Sequence, residues 1–327
     1  MLPTGNARVL IFGAGAIGSV LGGFLAQAGH RVTLLGRRSH LEAIRERGLK
    51  IDGIWGTHHV RDRLRPIEAL DELIDRQFDC VLVTVKSYDT EACARSLKEQ
   101  AVQARVFVSC QNGYGNVETL ARFLGPDVVL GARVITGAEV VAPGHVRVTV
   151  SADALRIGPP DGDADRMPLA EAVARLLADA RVPAEATRHY REFLWDKILY
   201  NCALNPLGAL LRATYGELAA SGEIRAIMDD VIREVFTVAA THGIPLFYPG
   251  PDDYIVHFYE ELIPPTAGHY PSMLRDLEQR GRTEIDALNG AIVRLGAEKT
   301  IPTPTNRMLT AMVRKREETR RRELNHQ

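Results

Sequence analysis

Along the first half of the chain, short apolar runs alternate with longer stretches whose apolar positions recur about every three to four residues. Val9–Phe12, Val32–Leu35, Val81–Val85 and Val106–Ser109 are brief, β-branched and bounded by glycine or polar residues, which predicts strands buried on both faces. Between them, Ala16–Ala28, Leu41–Arg47, Glu91–Glu99 and Val117–Phe123 have helical spacing. Alternation of this kind implies right-handed crossovers and a mostly parallel sheet covered on both faces. Further strands are expected at Val128–Val134, His145–Val150 and Ala154–Ile157, the last two as a hairpin. The loop Gly158–Asp165 then leads to a helix, Leu169–Ala180, and a short strand near Val182–Thr187.

From about His189 the texture changes. Glu192–Leu204, Gly222–His242, Ser272–Lys299 and Thr305–Glu323 are long segments of helical period, interrupted by the proline-bounded stretch Pro245–Pro271. The pattern predicts an α/β domain over residues 1–188 and an all-α domain over 189–327. A chain of 327 residues is long enough for each to bury its own core. The run Arg314–Arg322 mixes Arg and Lys with Glu and reads as a solvated last helix.

Composition then narrows the function classes. Apolar residues are 46% and charged residues 25%, as in an ordinary globular chain. Forty Lys plus Arg against 41 Asp plus Glu leave a net charge of -1, so no global electrostatic case exists for nucleic acid or an anionic membrane. Cys80, Cys93, Cys110 and Cys202 show no CxxC or histidine-interleaved spacing, so neither a metal site nor a disulfide framework is expected, and a reduced, cytoplasmic protein is. One segment could mislead: Val9–Gly29 is uncharged for 21 residues and could pass for a signal peptide or a membrane span. Six of those residues are glycine, and three of them are not scattered.

Gly13, Gly15 and Gly18, in Gly13-Ala14-Gly15-Ala16-Ile17-Gly18, form a GxGxxG turn that follows a strand, opens a helix and begins a βαβ unit. That context points to a dinucleotide pyrophosphate on the helix N-terminus and to a Rossmann-type domain. The second strand ends Leu35-Gly36-Arg37-Arg38, with no acid to hold a ribose 2′-hydroxyl and with guanidinium groups suited to a 2′-phosphate, so NADP (as NADPH) is expected. Two later loops, around Lys86 in Val85-Lys86-Ser87 and around Asn112 in Gln111-Asn112-Gly113, fall at strand C-termini, the ligand edge of such sheets. A lysine there can reach a phosphate or carboxylate, and an asparagine amide can serve both a nicotinamide and a substrate.

In the helical half, Lys197, Asn201 and Asn205 recur at i, i+4 and i+8 amid apolar neighbours. They project from one face, and a polar stripe so placed needs partners or a wet cleft. Glu284 falls in line with Leu288, Ala291 and Leu295, at the edge of an apolar stripe. An acid there is expected to have a cationic or hydroxyl partner, and simple pairing with Arg280 or Arg282 is the structural alternative.

Taken together, GAGAIG, Arg37, VKS around Lys86, QNG around Asn112, the WxKxxxNxxxN pattern from Trp195, SML at Ser272, RTEID at Glu284 and PTPxN at 302–306 resemble the ketopantoate reductases (2-dehydropantoate 2-reductases) over nearly the whole chain. The resemblance implies NADPH-dependent reduction of 2-dehydropantoate to (R)-pantoate, on the way to pantothenate and coenzyme A, with a small 2-keto acid as partner and a homodimer as one assembly to consider. It places the general acid on Lys197 and the substrate contacts on Asn112, Asn201, Asn205 and Ser272. Glu284 matches the acid on the ribose or substrate side of the cofactor, and Gly137 matches a cofactor-contacting backbone position. A lysine ammonium beside the reacting carbonyl would both stabilise the developing alkoxide and protonate it.

Two features depart from the pattern. Tyr215 precedes Gly216-Glu217-Leu218, where the family commonly has a substrate-contacting asparagine. Pro245–Pro271 carries six aromatic residues in 27 (Phe247, Tyr248, Tyr254, Phe258, Tyr259 and Tyr270), which could line a roomier pocket or serve helix packing. The competing readings are a reductase of a bulkier 2-keto acid, a β-hydroxyacid dehydrogenase, and a non-catalytic NADP sensor.

Overall fold

In a computed structural model, which describes residues 2, 3 and 5–325, the apolar runs of the first half become the inner strands of one sheet. The strands are, in chain order, β1 (Arg8–Phe12), β2 (Arg31–Leu35), β3 (Leu49–Gly53), β4 (His58–Val60), β5 (Leu64–Ile67), β6 (Gln77–Val83), β7 (Gln103–Ser109), β8 (Val129–Arg133), β9 (Thr136–Ala142), β10 (His145–Ser151), β11 (Leu155–Gly158) and β12 (Ala184–Ala186). The chain divides into two units, Met1–Tyr190 and Arg191–Gln327.

Unit one holds an eight-stranded sheet in the order β5-β2-β1-β6-β7-β8-β11-β12. All its neighbours are parallel except β11 and β8. The order reverses at β1, whose residues pair with Val32–Leu35 on one side and Cys80–Val83 on the other. That reversal is the topological switch point, where open parallel sheets bind ligands beyond the strand C-termini. The fold is thus the expected Rossmann-type α/β domain with a mostly parallel sheet, followed by a helical unit. The helices of unit one are α1 (Ala16–Gln27), α2 (Arg38–Arg47), α3 (Thr90–Glu99), α4 (Asn116–Leu124) and α5 (Met167–Asp179).

A second sheet, β4-β3-β10-β9, packs on the far side of α1. This explains the uncharged Val9–Gly29 segment. Gly18 through Ala26 are all buried, because α1 is sandwiched between two sheets. A Cβ on Gly22 would strike Leu34 Cδ2 at 2.6 Å in the first sheet, and one on Gly23 would strike Ile51 Cδ1 at 2.5 Å in the second. Small residues there let both sheets close on one helix. No helix among the described residues is long and apolar enough to cross a membrane.

The expected hairpin of His145–Val150 with Ala154–Ile157 does not form. β10 pairs with β9 and β3 in the second sheet, whereas β11 pairs with β8 and β12 in the first. The short link between them, Ala152–Ala154, carries the chain from one sheet to the other, anchored by Asp153 on Arg133 at 2.6 Å. The strands β3, β4, β5 and β9 lack the long apolar runs of buried parallel strands. They are short, half-exposed or at sheet edges, so their pattern is weak.

The helices of unit two begin with α6 (Tyr190–Leu211), whose first residue belongs to unit one, and continue with α7 (Tyr215–Ala220), α8 (Gly222–Thr241), α9 (Pro251–His257), α10 (Ser272–Arg280), α11 (Asn289–Glu298) and α12 (Pro304–Asn325). Met228, Val231, Ile232, Val235 and Val238 of α8 are fully buried, with α7, α9, α11 and α12 packed on it. The expected single helix over Ser272–Lys299 is broken. Gly281 ends α10 in the left-handed conformation at φ 60°, and a short 3-10 turn, Ile285–Ala287, precedes α11. The proline-bounded stretch supplies core: Tyr254 and Phe258 are fully buried, packing against each other and against Phe236 and Tyr200.

Candidate active site

The glycine turn is tied down on both sides of the switch point. Gly13 and Ala14 donate their N–H groups to Leu35 O at the end of β2, at 3.0 and 2.7 Å. Thr84 Oγ1, just past β6, donates to Gly13 O at 2.7 Å. Gly13 has φ 119°, and a Cβ there would lie 2.7 Å from Val85 N. A Cβ on Gly18 would run into the Gly13 carbonyl oxygen and reach Thr84 Oγ1 at 2.5 Å. The turn and the helix packing therefore require those two glycines.

Gly15 differs. Its φ is -84°, and a Cβ would meet only Gly13 O, at 4.0 Å. Neither backbone strain nor packing calls for glycine at this position. The open cradle beside it, at the start of α1 where Ala16, Ile17 and Gly18 lack intrahelical acceptors, fits a pyrophosphate approaching the backbone.

Arg37 stands at the N-cap of α2, exposed, directly after Gly36, whose added Cβ would touch Ala14 Cβ at 2.7 Å. The end of β2 thus lies against the glycine turn. The neighbouring Arg38 is engaged, its Nε 2.9 Å from Glu68 Oε2, and that carboxylate raises its pKa. Arg37 makes no ion pair among the described residues, which singles it out from the pair as the guanidinium suited to a further phosphate.

Lys86 and Asn112 follow the adjacent parallel strands β6 and β7, both half-buried. A buried amide–hydroxyl network that sequence reasoning missed holds their loops together. Gln111 Nε2 donates to Val85 O at 3.0 Å and to Thr90 Oγ1 at 2.6 Å, while its Oε1 accepts from Ser109 Oγ at 3.1 Å. Thr90 Oγ1 in turn lies 2.7 Å from Asn116 Oδ1, and Asn116 Nδ2 donates to Asn112 O at 2.8 Å. The one available signal was the spacing of Asn112 and Asn116. Gly137 lies in β9 of the second sheet, opposite Val150.

In unit two, α6 carries Lys197, Asn201 and Asn205 on one face, as their spacing predicts. Lys197 is half-buried, and both asparagines are buried. Tyr215 Oη donates to Asn205 Oδ1 across a long 3.4 Å. Burial, helped by Tyr200, pushes the Tyr215 phenol well above its ordinary pKa, so it remains a donor. Asn205 then has its Nδ2 hydrogens to offer elsewhere. Ser272 opens α10 and is exposed. Pro271 beside it packs where a Cβ on Gly208 would fall, at 2.8 Å, which puts the start of α10 next to the Asn205 end of α6.

Glu284 is buried but does not sit on a helical stripe; the expected alignment with Leu288, Ala291 and Leu295 is corrected by the break after Gly281. It occupies the N-cap of the 3-10 turn instead. Thr283 next to it is bolted to Glu317 of α12, through its N–H at 2.7 Å and its hydroxyl at 2.6 Å. Of the candidate cationic partners, Arg280 lies 3.6 Å from Asp276.

A Rossmann-type nucleotide-binding unit followed by an all-helical unit with a lysine–asparagine face defines a class of two-unit proteins. Within that class, the chain belongs to the ketopantoate reductase family. The family models described as "Ketopantoate reductase PanE/ApbA" and "Ketopantoate reductase PanE/ApbA C terminal" match residues 9–162 and 189–317. A 2-dehydropantoate 2-reductase of Aquifex aeolicus is 42% identical over 95% of this chain and 97% of its own. Among solved structures, a PanE/ApbA family ketopantoate reductase from Ralstonia eutropha is 35% identical, with TM-score 0.82 over 96% of this chain and 99% of that one. A D-mandelate dehydrogenase in complex with NADH is 25% identical, with TM-score 0.81 over 95% of this chain and 99% of that one.

Proposed function

We propose that this chain is an oxidoreductase that reduces 2-dehydropantoate to (R)-pantoate with NADPH, in the reduced cytoplasmic compartment. The observation that carries the reading is the face of α6: Lys197, Asn201 and Asn205 in line, on a chain that matches a 2-dehydropantoate 2-reductase along 95% of its length. Residues 1–188 hold the dinucleotide and 189–327 the keto acid. The α1 N-terminus with Gly13, Ala14, Gly15, Ala16, Ile17 and Gly18 takes the pyrophosphate, Arg37 the 2′-phosphate, and Lys86, Asn112 and Gly137 further parts of the cofactor.

When bound, the reduced nicotinamide supplies the hydride for the ketone carbon. Lys197 donates the proton to the carbonyl oxygen, and its positive charge stabilises that oxygen as negative charge builds. Asn201, Asn205, Asn112 and Ser272 hold the substrate's carboxylate and hydroxyl by hydrogen bonds that add no charge. Glu284, a buried carboxylate, favours the protonated form of Lys197 and contacts the ribose side of the dinucleotide.

NADPH oxidation followed by absorbance against a panel of 2-keto acids tests the reading. Turnover of 2-dehydropantoate at the highest kcat/KM is expected, and preference for an aromatic 2-keto acid, or faster reduction of NADP+ by a 3-hydroxy acid in the opposite direction, would overturn it. For the cofactor, Arg37→Asp is expected to weaken NADPH binding by about tenfold or more while changing NADH binding little. Equal losses would remove the 2′-phosphate contact.

A further inference from the structure

Pro206 lies inside α6 and has no N–H to give. In a regular helix that N–H would serve the carbonyl of Cys202, which stands between Asn201 and Asn205. The Cys202 oxygen has another donor: Asn289 Nδ2, from the first residue of α11, at 3.0 Å. The same nitrogen donates to Asn306 Oδ1 at 3.0 Å, and Asn306 Nδ2 donates to Glu234 Oε2 at 2.7 Å. Glu234, on α8, also accepts the backbone N–H groups of Thr305 and Asn306, at 2.8 and 3.0 Å, in the first turn of α12. Asn289 and Asn306 are 0% exposed. A relay of hydrogen bonds thus runs from a carboxylate on α8, through two buried amides, to the carbonyl between the two asparagines of the α6 face.

The chemistry fixes the orientation of both amides. Asn306 must turn nitrogen toward the Glu234 carboxylate, which leaves oxygen for Asn289, and Asn289 must present nitrogen to two oxygens. The amide at 289 meets two acceptors at once, the Cys202 carbonyl and Asn306 Oδ1. Asn289 Oδ1 has no partner among the described residues, and a buried acceptor left unmet is costly. A leucine would remove that unmet acceptor but leave the Cys202 carbonyl and Asn306 Oδ1 without this donor. What the amide supplies is direction.

We infer that Asn289 is a positioning residue: through the Cys202 carbonyl released by Pro206, it sets the turn of α6 that carries Asn201 and Asn205, and so the geometry with which they meet the 2-keto acid. The inference rests on the reading of that face as the substrate face. Asn306 and Glu234 act behind Asn289, and the PTPxN segment takes its role from ending on Asn306.

The test is a double-mutant cycle of Asn289→Leu and Pro206→Ala, because alanine in place of the proline returns to the Cys202 oxygen the N–H that proline lacks. Four quantities are measured on all four proteins: kcat and KM for NADPH oxidation with 2-dehydropantoate, the thermal midpoint, and amide exchange of peptides covering residues 200–211 without substrate. N289L is expected to lower kcat/KM by about tenfold to a hundredfold, through kcat as well as KM, and to speed exchange in α6. P206A should stay within about threefold of wild type, and the double variant should return to within about threefold of P206A in both rate and exchange. A double variant as impaired as N289L, or an N289L deficit that follows the thermal midpoint with α6 exchange unchanged, overturns the inference. Should N289L alone not fold, the double variant decides: folded and active supports the role, unfolded or inactive overturns it. A wild type inactive on 2-dehydropantoate sinks the substrate reading instead, while the exchange pattern still judges Asn289.

Discussion

The glycine turn of unit one and the α6 face of unit two are built by opposite means. At the turn, the decisive features are absences: Gly13 and Gly18 leave out a Cβ that would collide with Val85 and with the Gly13 carbonyl, and Gly15 leaves its cradle open. The donors there are backbone N–H groups, which any sequence with those three glycines presents. On α6 the decisive features are side chains, and the helix that carries them is held by residues of other elements. Asn205 meets Tyr215, and the turn around Cys202 hangs on Asn289, Asn306 and Glu234. A backbone site is robust and generic, whereas a side-chain site is specific and needs support.

The sharpest way to separate the two regions is to remove the proton donor. Lys197→Ala is expected to depress kcat by about 10²–10⁴-fold while NADPH still binds, as read by steady-state turnover and a cofactor fluorescence titration. Near-normal turnover would move the chemistry off α6.

Next come the glycines, which should separate from one another. Gly18→Ala forces a Cβ into the Gly13 oxygen and is expected to cost about 1–3 kcal/mol of stability, visible as a lowered thermal midpoint. Gly15→Ala meets nothing closer than 4.0 Å, so its midpoint should hold while the NADPH Kd rises about tenfold, on the order of 1.4 kcal/mol. The reverse pattern would show that the cradle is not where the pyrophosphate sits.

A smaller effect concerns pH and tests only unit one. His40 Nδ1 accepts the Gly144 N–H at 3.1 Å, so Nε2 carries the hydrogen of the neutral ring and faces Ser19 Oγ at 3.0 Å. Burial lowers the pKa of His40 below its ordinary 6.5. Below pH 6.5 the unfolded chain therefore takes up a proton that the folded state refuses, and stability falls as pH drops, by at most about 1.4 kcal/mol per pH unit. Above that range the contribution is constant. Chemical denaturation between pH 7 and 5 should show this slope, reduced in His40→Gln; an unchanged slope would remove His40 as its source.

The smallest effect is expected at Tyr215→Phe. The lost hydrogen bond is long, so KM for 2-dehydropantoate should change by less than about fivefold. A larger change would mean that the phenol itself contacts the substrate.

Much of unit one was legible because its signals are local. The strands β1, β2, β6 and β7 are built around short, mostly apolar runs, as burial on both faces requires, and the GxGxxG spacing names its own turn. The face of Lys197, Asn201 and Asn205 was legible because helical period alone puts i, i+4 and i+8 together. Glu284 was found as an acid beside an apolar stripe and through the RTEID match, but misplaced by periodicity: Ser272–Lys299 keeps its apolar spacing across Gly281, and only the left-handed backbone at that residue reveals the break. The supposed hairpin failed for a related reason. Two neighbouring runs of β residues do not announce that they belong to different sheets, since the pairing partners β3 and β8 lie elsewhere in the chain.

The aromatic stretch was ambiguous in composition, which does not separate a pocket wall from a core. The stacking of Tyr254 on Phe258, against Phe236 and Tyr200, gives those rings to the interior. The buried amides at Gln111, Asn116, Asn289 and Asn306 left almost no trace, because an isolated Asn or Gln looks the same whether it faces water or a buried carbonyl.

By itself, the order of residues determined the inner strands and the main helices, where a phosphate-binding turn lies, and which polar groups share the α6 face. Those properties follow from backbone geometry and the repeat of a single element. Only the tertiary structure decided which sheet each strand joins, how α1 is enclosed, that Arg37 rather than Arg38 is without a carboxylate partner among the described residues, and what donates to the carbonyl that Pro206 releases. Such outcomes depend on contacts between segments many residues apart, and no local periodicity encodes the partner of a hydrogen bond.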